Sequence, residues 1–143
     1  MGCEKAAIFE LDESGDLLTV RAWEGLSQTY ADSSQTIDAH SVRAAAVLGG
    51  EPLVVADVYS YGAEDLEVLA HQEGYSAFID VPMRSRAGNL GLLSAYYAGE
   101  HAFAPAEIEM FVSFADQAAV ALETARLLRD QKRRIAELAS LEE

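Results

Sequence analysis

The segment from Pro105 to the C-terminus constrains the fold most, because it contains no further proline or glycine and can form one helix to about residue 140. At about 100° per residue, one side of this helix carries an apolar line that suits contact with a domain. The line comprises Ile108, Phe111, Val112, Ala115, Ala119 and Leu122, and it continues into Arg126, Arg129 and Arg133. Contact with the domain is therefore predicted to stop near Ala125, which separates a domain over residues 1–125 from a C-terminal signalling-helix extension over 126–143.

The opposite side of the same helix carries a second line, at alternating spacings of three and four residues that are typical of a coiled-coil seam. The seam comprises Phe114, Gln117, Ala121, Thr124, Leu128, Gln131, Ile135 and Leu138. We expect these residues to pair with the same helix of a second copy, in a homodimer. Several seam residues are polar or small, which weakens the pairing. A weak seam suits a linker whose two states lie close in free energy, and the alternative is a poor seam that never pairs outside the full-length protein.

The amino-acid composition limits the partners and the cellular compartment that we expect. The net charge is −14, and residues 1–104 hold 16 acidic and 5 basic side chains. Such a surface repels nucleic acid and anionic membrane, so neither is an expected partner. A single cysteine cannot form an internal disulfide framework and fits a reducing compartment. No apolar run is long enough to span a membrane, and the N-terminus lacks the features of a signal peptide, so we expect a cytoplasmic location.

The predicted order is strand, strand, helix, strand, helix, strand, strand and long helix, which favours an antiparallel α+β sheet over a parallel one. Two hairpins frame this order, because short apolar runs flank turn-forming residues near both ends of the domain. The predicted strands cover 6–11, 17–23, 53–56, 75–83 and 90–97. The predicted helices cover 42–48, 63–72 and the segment from Pro105, whereas 24–36, 57–62 and 84–89 are predicted loops.

Three stretches together resemble a GAF domain, the small-ligand sensor module of bacterial signalling proteins. Residues 49–57 (GGEPLVVAD) are similar to the family's strand entry, and residues 74–83 (GYSAFIDVPM) to its Val-Pro strand. Residues 91–96 (GLLSAY), followed by 103–108 (FAPAEI), are similar to its Gly-containing strand and the start of its final helix. The resemblance implies a central antiparallel sheet of five to six strands, with short helices on one face and the long C-terminal helix on the other.

The chain departs from the family pattern at two places. The family usually opens with a helix beside the last helix, whereas this chain starts almost directly at the first strand. Either the chain is a fragment or that helix is dispensable, which leaves part of one sheet face for a partner to cover. Asp80 stands where relatives mostly place a small or apolar residue. Alternation puts Asp80 on the same side of its strand as Phe78, opposite Ile79 and Val81.

By resemblance, a ligand pocket lies between one sheet face and the short helices, and its predicted lining is Tyr59, Tyr61, His71, Tyr75, Phe78, Asp80 and Tyr96. Tyrosines suit such a pocket because each has an apolar ring and a polar tip. The alternative is that Tyr75, Phe78 and Tyr96 are core residues. A buried carboxylate is costly without a partner, so Asp80 either meets a ligand, pairs with an internal Tyr, Ser or Arg, or lies at an exposed edge. An internal partner is the interpretation we favour.

Enzymatic and cofactor roles have little support in the sequence. Cys3 has no histidine near it in sequence, and GAF-type methionine sulfoxide reductases use several cysteines. The three histidines, His40, His71 and His101, are too far apart in sequence for a metal motif. Haem ligation by His71, bilin attachment and cyclic-nucleotide binding are each disfavoured. The ligand expected is therefore an uncharged or cationic small molecule, or there is none.

Two functions are compatible with the sequence. The first is a non-catalytic GAF sensor segment of a bacterial signalling protein, whose final helix controls a C-terminal output domain such as a histidine kinase or a cyclic-dinucleotide synthase. The alternative is a structural dimerisation module whose pocket is filled by its own side chains.

Overall fold

Two antiparallel hairpins form the centre of a single sheet, and their first and last strands lie side by side. The first hairpin contains β1 (Lys5–Leu11) and β2 (Leu17–Glu24), and its turn is held by the Asp12 carboxylate, which accepts hydrogen bonds from the Ser14 hydroxyl and the Asp16 amide, both of 2.9 Å. The computed structural model describes residues 5–28, 36–38, 44, 49–86 and 88–141.

The remaining elements follow in chain order. They are β3 (Thr36–Asp38), β4 (Leu53–Val55), α1 (Val58–Tyr61), α2 (Glu64–Glu73), β5 (Ala77–Ser85), β6 (Gly88–Tyr97) and α3 (Pro105–Leu141). All neighbouring strands are antiparallel, and the strand order is β3-β2-β1-β6-β5-β4. The predicted α+β class, with an antiparallel sheet of five to six strands, is confirmed.

Period-two alternation along the strands divides the core between the two faces of the sheet. On one face, which we call the α1–α2 face, Phe9, Phe78 and Tyr96 pack in a cluster that includes Val58 of α1 and Ala70 of α2. On the other, the α3 face, the strands contribute Ile79, Val81 and Ala95, and α3 contributes the residues Phe111, Ala115 and Ala119. The short helices and the long helix therefore lie on opposite faces, as expected.

Two segments differ from the prediction. Residues 57–62 contain the helix α1, which begins because the Asp57 carboxylate accepts hydrogen bonds from the Tyr59 amide and the Ser60 hydroxyl, and ends at Gly62 in a left-handed conformation. Residues 36–38, at the end of a predicted loop and just after it, form β3, whose backbone pairs with the start of β2.

The other boundaries agree with the prediction to within a few residues. The second hairpin is tighter than expected, because β5 continues to Ser85 and β6 starts at Gly88. The predicted helix over 42–48 lies outside the described residues, apart from Ala44. In the described ranges, none of the helices combines the length and the apolar content that crossing a bilayer requires.

Candidate functional site

Asp80 is a fully buried carboxylate of β5, between β6 and the edge strand β4. It lies directly opposite Ser94 in the pairing of β5 with β6, and both residues have no exposed surface. The Ser94 hydroxyl donates a hydrogen bond of 2.5 Å to Oδ1 of Asp80. Of the three alternatives drawn from the sequence, the exposed edge is therefore wrong, and an internal serine partner is observed.

Three aromatic rings fill the same sheet face beside this pair. The ring of Tyr75 lies 4.6 Å from that of Tyr96 and 6.2 Å from that of Phe78, measured between centroids, and all three side chains are buried. Edge-on and tilted contacts of this kind stabilise a cluster beyond the effect of buried area alone. These three residues, together with Asp80, are the predicted lining residues that the structure brings together.

The other three predicted lining residues lie further out. Tyr61 packs against the margin of the core, whereas Tyr59 is 51% exposed and His71 lies on the exposed side of α2. Tyr59 belongs to α1 and His71 to α2, and it was the resemblance to the family that placed both in the predicted lining. A ligand-binding role for any of the seven residues remains a prediction.

The long helix α3 binds the sheet through its predicted apolar line. Phe111, Ala115 and Ala119 are buried against β5 and β6, and Ile108, Val112 and Leu122 pack at the margin of the same cluster. Small residues at 115 and 119 allow the helix backbone to approach the sheet closely. The apolar contact ends at Leu122, as the sequence predicts.

Polar contact with the domain continues for two further turns, beyond the predicted limit. The Glu10 carboxylate of β1 is only 6% exposed and accepts hydrogen bonds from Nε of Arg126 at 2.6 Å and from a terminal nitrogen of Arg129 at 3.3 Å. Arg126 also donates to the Leu11 carbonyl oxygen at 2.7 Å, and Arg21 of β2 donates to Glu10 at 2.7 Å. The expectation that contact stops near Ala125 is thereby corrected. The reason is that an arginine at the end of an apolar line can reach back to a carboxylate at a strand end.

A second polar cluster holds the start of α3. The Glu107 carboxylate lies 2.8 Å from Nε2 of His101 and accepts a hydrogen bond of 3.0 Å from the Tyr97 hydroxyl. The His101 ring stacks on the Tyr97 ring at 4.0 Å. From the sequence we considered His101 only as a candidate metal ligand and missed its contact with Glu107. The signal for that contact was the Glu107 carboxylate itself, six residues after His101 in the first turn of the helix.

This arrangement of sheet and helices matches a known family of domains. The model of the GAF domain family matches residues 1–122. The chain belongs to the GAF domain family. A comparison with curated proteins gave no match.

Several solved structures share the GAF fold with this chain. A domain assigned to a two-component sensor histidine kinase protein of Sinorhizobium meliloti 1021 is 26% identical, with a TM-score of 0.74, and the match covers 92% of this chain and 86% of that one. A GAF domain region from Geobacter sulfurreducens PCA is 21% identical, with a TM-score of 0.72 and coverage of 87% and 83%. The PixJ GAF domain of Thermosynechococcus elongatus, in its blue-light absorbing form, is 23% identical, with a TM-score of 0.68 and coverage of 94% and 83%.

In this GAF domain the predicted seam faces away from the sheet. All eight seam residues are exposed, and the large apolar ones among them, including Leu128 at 51% and Ile135 at 63%, have no cover from the domain. The Thr124 hydroxyl donates to the Val120 carbonyl oxygen at 2.9 Å, which satisfies its polar group within the helix. The stripe is therefore available to a second helix, and the pairing itself remains a prediction.

Among the described residues of the GAF domain there is no group of three or more His, Cys, Asp or Glu side chains placed to hold an ion. Cys3 and His40 lie outside the described residues.

Proposed function

We propose that this chain is a non-catalytic regulatory GAF segment of a bacterial, cytoplasmic signal-transduction protein. Its helix α3 pairs in parallel with that of a second copy and conveys the state of the domain to a C-terminal output domain. The similarity to a domain assigned to a sensor histidine kinase supports a kinase as that output.

The observation that carries this proposal is the exposed apolar stripe on a helix that extends beyond its own domain. Apolar contact with the sheet ends at Leu122, and the helix continues to Leu141. Along this continuation Leu128, Ile135 and Leu138 are all more than half exposed. A lone helix that exposes such a stripe is stabilised by a partner helix that buries it.

Sedimentation equilibrium at micromolar concentration tests the pairing. We expect the unmodified chain to be a dimer and a Leu128→Gln/Ile135→Gln variant to shift to monomer. The matched control is Val120→Gln/Leu127→Gln, which changes two similarly exposed apolar residues of the same helix that lie off the seam. A monomeric unmodified chain, or equal dissociation of both variants, would contradict the proposal.

A second candidate is a structural dimerisation module with a filled pocket, which the aromatic cluster specifically favours. Tyr75, Phe78 and Tyr96 are buried against one another on the face where the resemblance places a ligand. Native mass spectrometry of the purified chain separates the two candidates. A retained small molecule would support a sensor, and the bare protein mass, unchanged after incubation with cell extract, would support the filled module.

A further inference from the structure

A polar cleft of about 420 Å³ lies between α3 and the β1–β2 hairpin, on the α3 face and away from the aromatic cluster. Its walls come from the end of β1, the hairpin turn, the start of β2 and the part of α3 that follows the apolar contact. The lining residues are Glu10, Leu11, Asp12, Glu13, Thr19, Arg21, Arg126, Arg129, Asp130 and Arg133. The volume falls within the range of small-molecule sites.

Arginine is concentrated in this cleft. Four of the ten Lys and Arg residues of the chain line it, although residues 1–104 are strongly acidic. These four arginines balance the four acidic residues of the lining, Glu10, Asp12, Glu13 and Asp130, so the cleft repels an anion less than the remaining acidic surface does. Arginine is also the side chain best suited to bind carboxylate or phosphate through two parallel hydrogen bonds.

Two of the four guanidinium groups bind Glu10 closely, and the other two retain unused donors. Arg21 and Arg126 contact Glu10 at 2.7 Å and 2.6 Å. Arg129 reaches the same carboxylate only at 3.3 Å and is 54% exposed. Arg133, one turn further along the same side of α3, forms no ion pair with any of the described residues. A guanidinium has five N–H donors, so Arg129 and Arg133 can bind a further acceptor together.

The acidic residues of the cleft do not occupy all of the N–H donors of these arginines. The Glu10 carboxylate is already shared by three arginines, and the Asp12 carboxylate accepts three hydrogen bonds within its own turn. Glu13 and Asp130 remain at the exposed margin. At the helix wall, Arg133 and the outer donors of Arg129 can therefore bind a further acceptor, with Asp130 at the exposed margin beside them.

We propose that this cleft binds a small anion that carries a carboxylate or phosphate group, held by Arg129 and Arg133 with Arg21 opposite them. An anion there would bridge the hairpin and the first turns of α3 beyond the apolar contact. Its binding would fix this part of the helix relative to the sheet. The site is separate from the aromatic face, and it does not depend on the pairing proposed above.

NMR titration of the complete 143-residue chain tests the site, with inorganic phosphate and succinate as separate probes and sodium chloride at matched ionic strength as the reference. We expect saturable shifts of the amides of residues 10–13, 19–21 and 126–133 with at least one probe. Saturation by phosphate alone identifies a phosphate site, and saturation by succinate alone a carboxylate site.

Variants separate a specific site from general charge attraction. Arg133→Gln, and separately Arg129→Gln, should raise the apparent Kd at least tenfold. The control Arg134→Gln, which removes an exposed neighbouring arginine that does not line the cleft, should change it less than twofold. Linear shifts, shifts that chloride reproduces, or equal effects of Arg133→Gln and Arg134→Gln would overturn the proposal.

Discussion

Glu10 accepts a hydrogen bond of 2.6 Å from Arg126, a residue 116 positions further along the chain. This contact joins α3 to the first strand of the sheet at the point where apolar packing ends. Glu10 also lies opposite Gly91 in the pairing of β1 with β6, so the backbone of Glu10 is held in place by the neighbouring strand. The orientation of α3 where it leaves the domain is therefore coupled to β1 through one carboxylate.

Glu10→Gln should destabilise both the domain and the adjoining turns of α3. The variant removes the negative charge and turns one accepting oxygen into an NH2 group, so some of the arginine donors lose their acceptor, and we expect the free energy of unfolding to fall by about 1–3 kcal/mol. The lower part of that range is favoured because Arg21 and Arg129 are half exposed and solvent screens their charges. Urea unfolding measures the loss, and amide exchange should quicken in residues 126–133. Glu24→Gln, an exposed position on β2, is the control, and an equal effect there would contradict the role of Glu10.

Asp80 and Ser94 should show energetic coupling, because they share a buried hydrogen bond. We expect Asp80→Ala to lower the free energy of unfolding by about 1–3 kcal/mol, and Ser94→Ala by less. In a double-mutant cycle the two changes should be non-additive by about 0.5–1.5 kcal/mol. Asp65→Asn on the exposed side of α2 serves as the control. Additive effects would show that the observed hydrogen bond contributes nothing to stability.

Gly91→Ala should prevent normal pairing of β1 with β6. A Cβ atom at this position would overlap the Phe9 carbonyl oxygen of the adjacent strand, and backbone cannot move aside as a flexible side chain can. We expect a loss of several kcal/mol, comparable to severe overpacking of a core. Gly99→Ala is the matched control, because nothing lies within 4 Å of the added methyl group. Similar melting temperatures for the two variants would be inconsistent with this close approach.

The cluster at the start of α3 should make stability depend on pH in the acid range. Burial alone would raise the pKa of the Glu107 carboxyl, but hydrogen bonds from His101 and Tyr97, with the charge of His101, lower it below its ordinary value of 4.5. Because the folded-state pKa is depressed, this stabilisation is present above about pH 4.5 and is lost as pH falls through the lowered value.

Glu107→Gln should consequently unfold at a lower temperature than the unmodified chain near pH 7, and the difference should shrink below pH 4. Thermal melting at a series of pH values measures this change. Glu109→Gln, an exposed acid on the same helix, should show no such convergence. A difference for Glu107→Gln that is constant with pH would mean that the carboxylate is not the stabilising form.

Much of the α1–α2 face could be predicted, because strand alternation is a local property. Asp80 lies on the side of Phe78, as its position in the strand requires, and Ser94 is its direct neighbour across the sheet. Which of the aromatic residues are core was left open by the sequence, and packing of Tyr75 against Tyr96 places both in the interior. Tyr59 and His71 were less predictable, because the orientation of short helices depends on contacts with the whole sheet.

By itself, the amino-acid sequence determined the periodic features: the class of fold, the start of α3 after Ala104, and the two opposite sides of that helix. Each depends on residues within a strand or a few helical turns, where backbone geometry sets the direction of every side chain. The tertiary structure alone decided that Arg126 and Arg129 meet Glu10 and that a cleft forms beside them. These contacts join distant parts of the chain, and the antiparallel order of β2, β1 and β6 beneath α3 brings them within hydrogen-bonding distance.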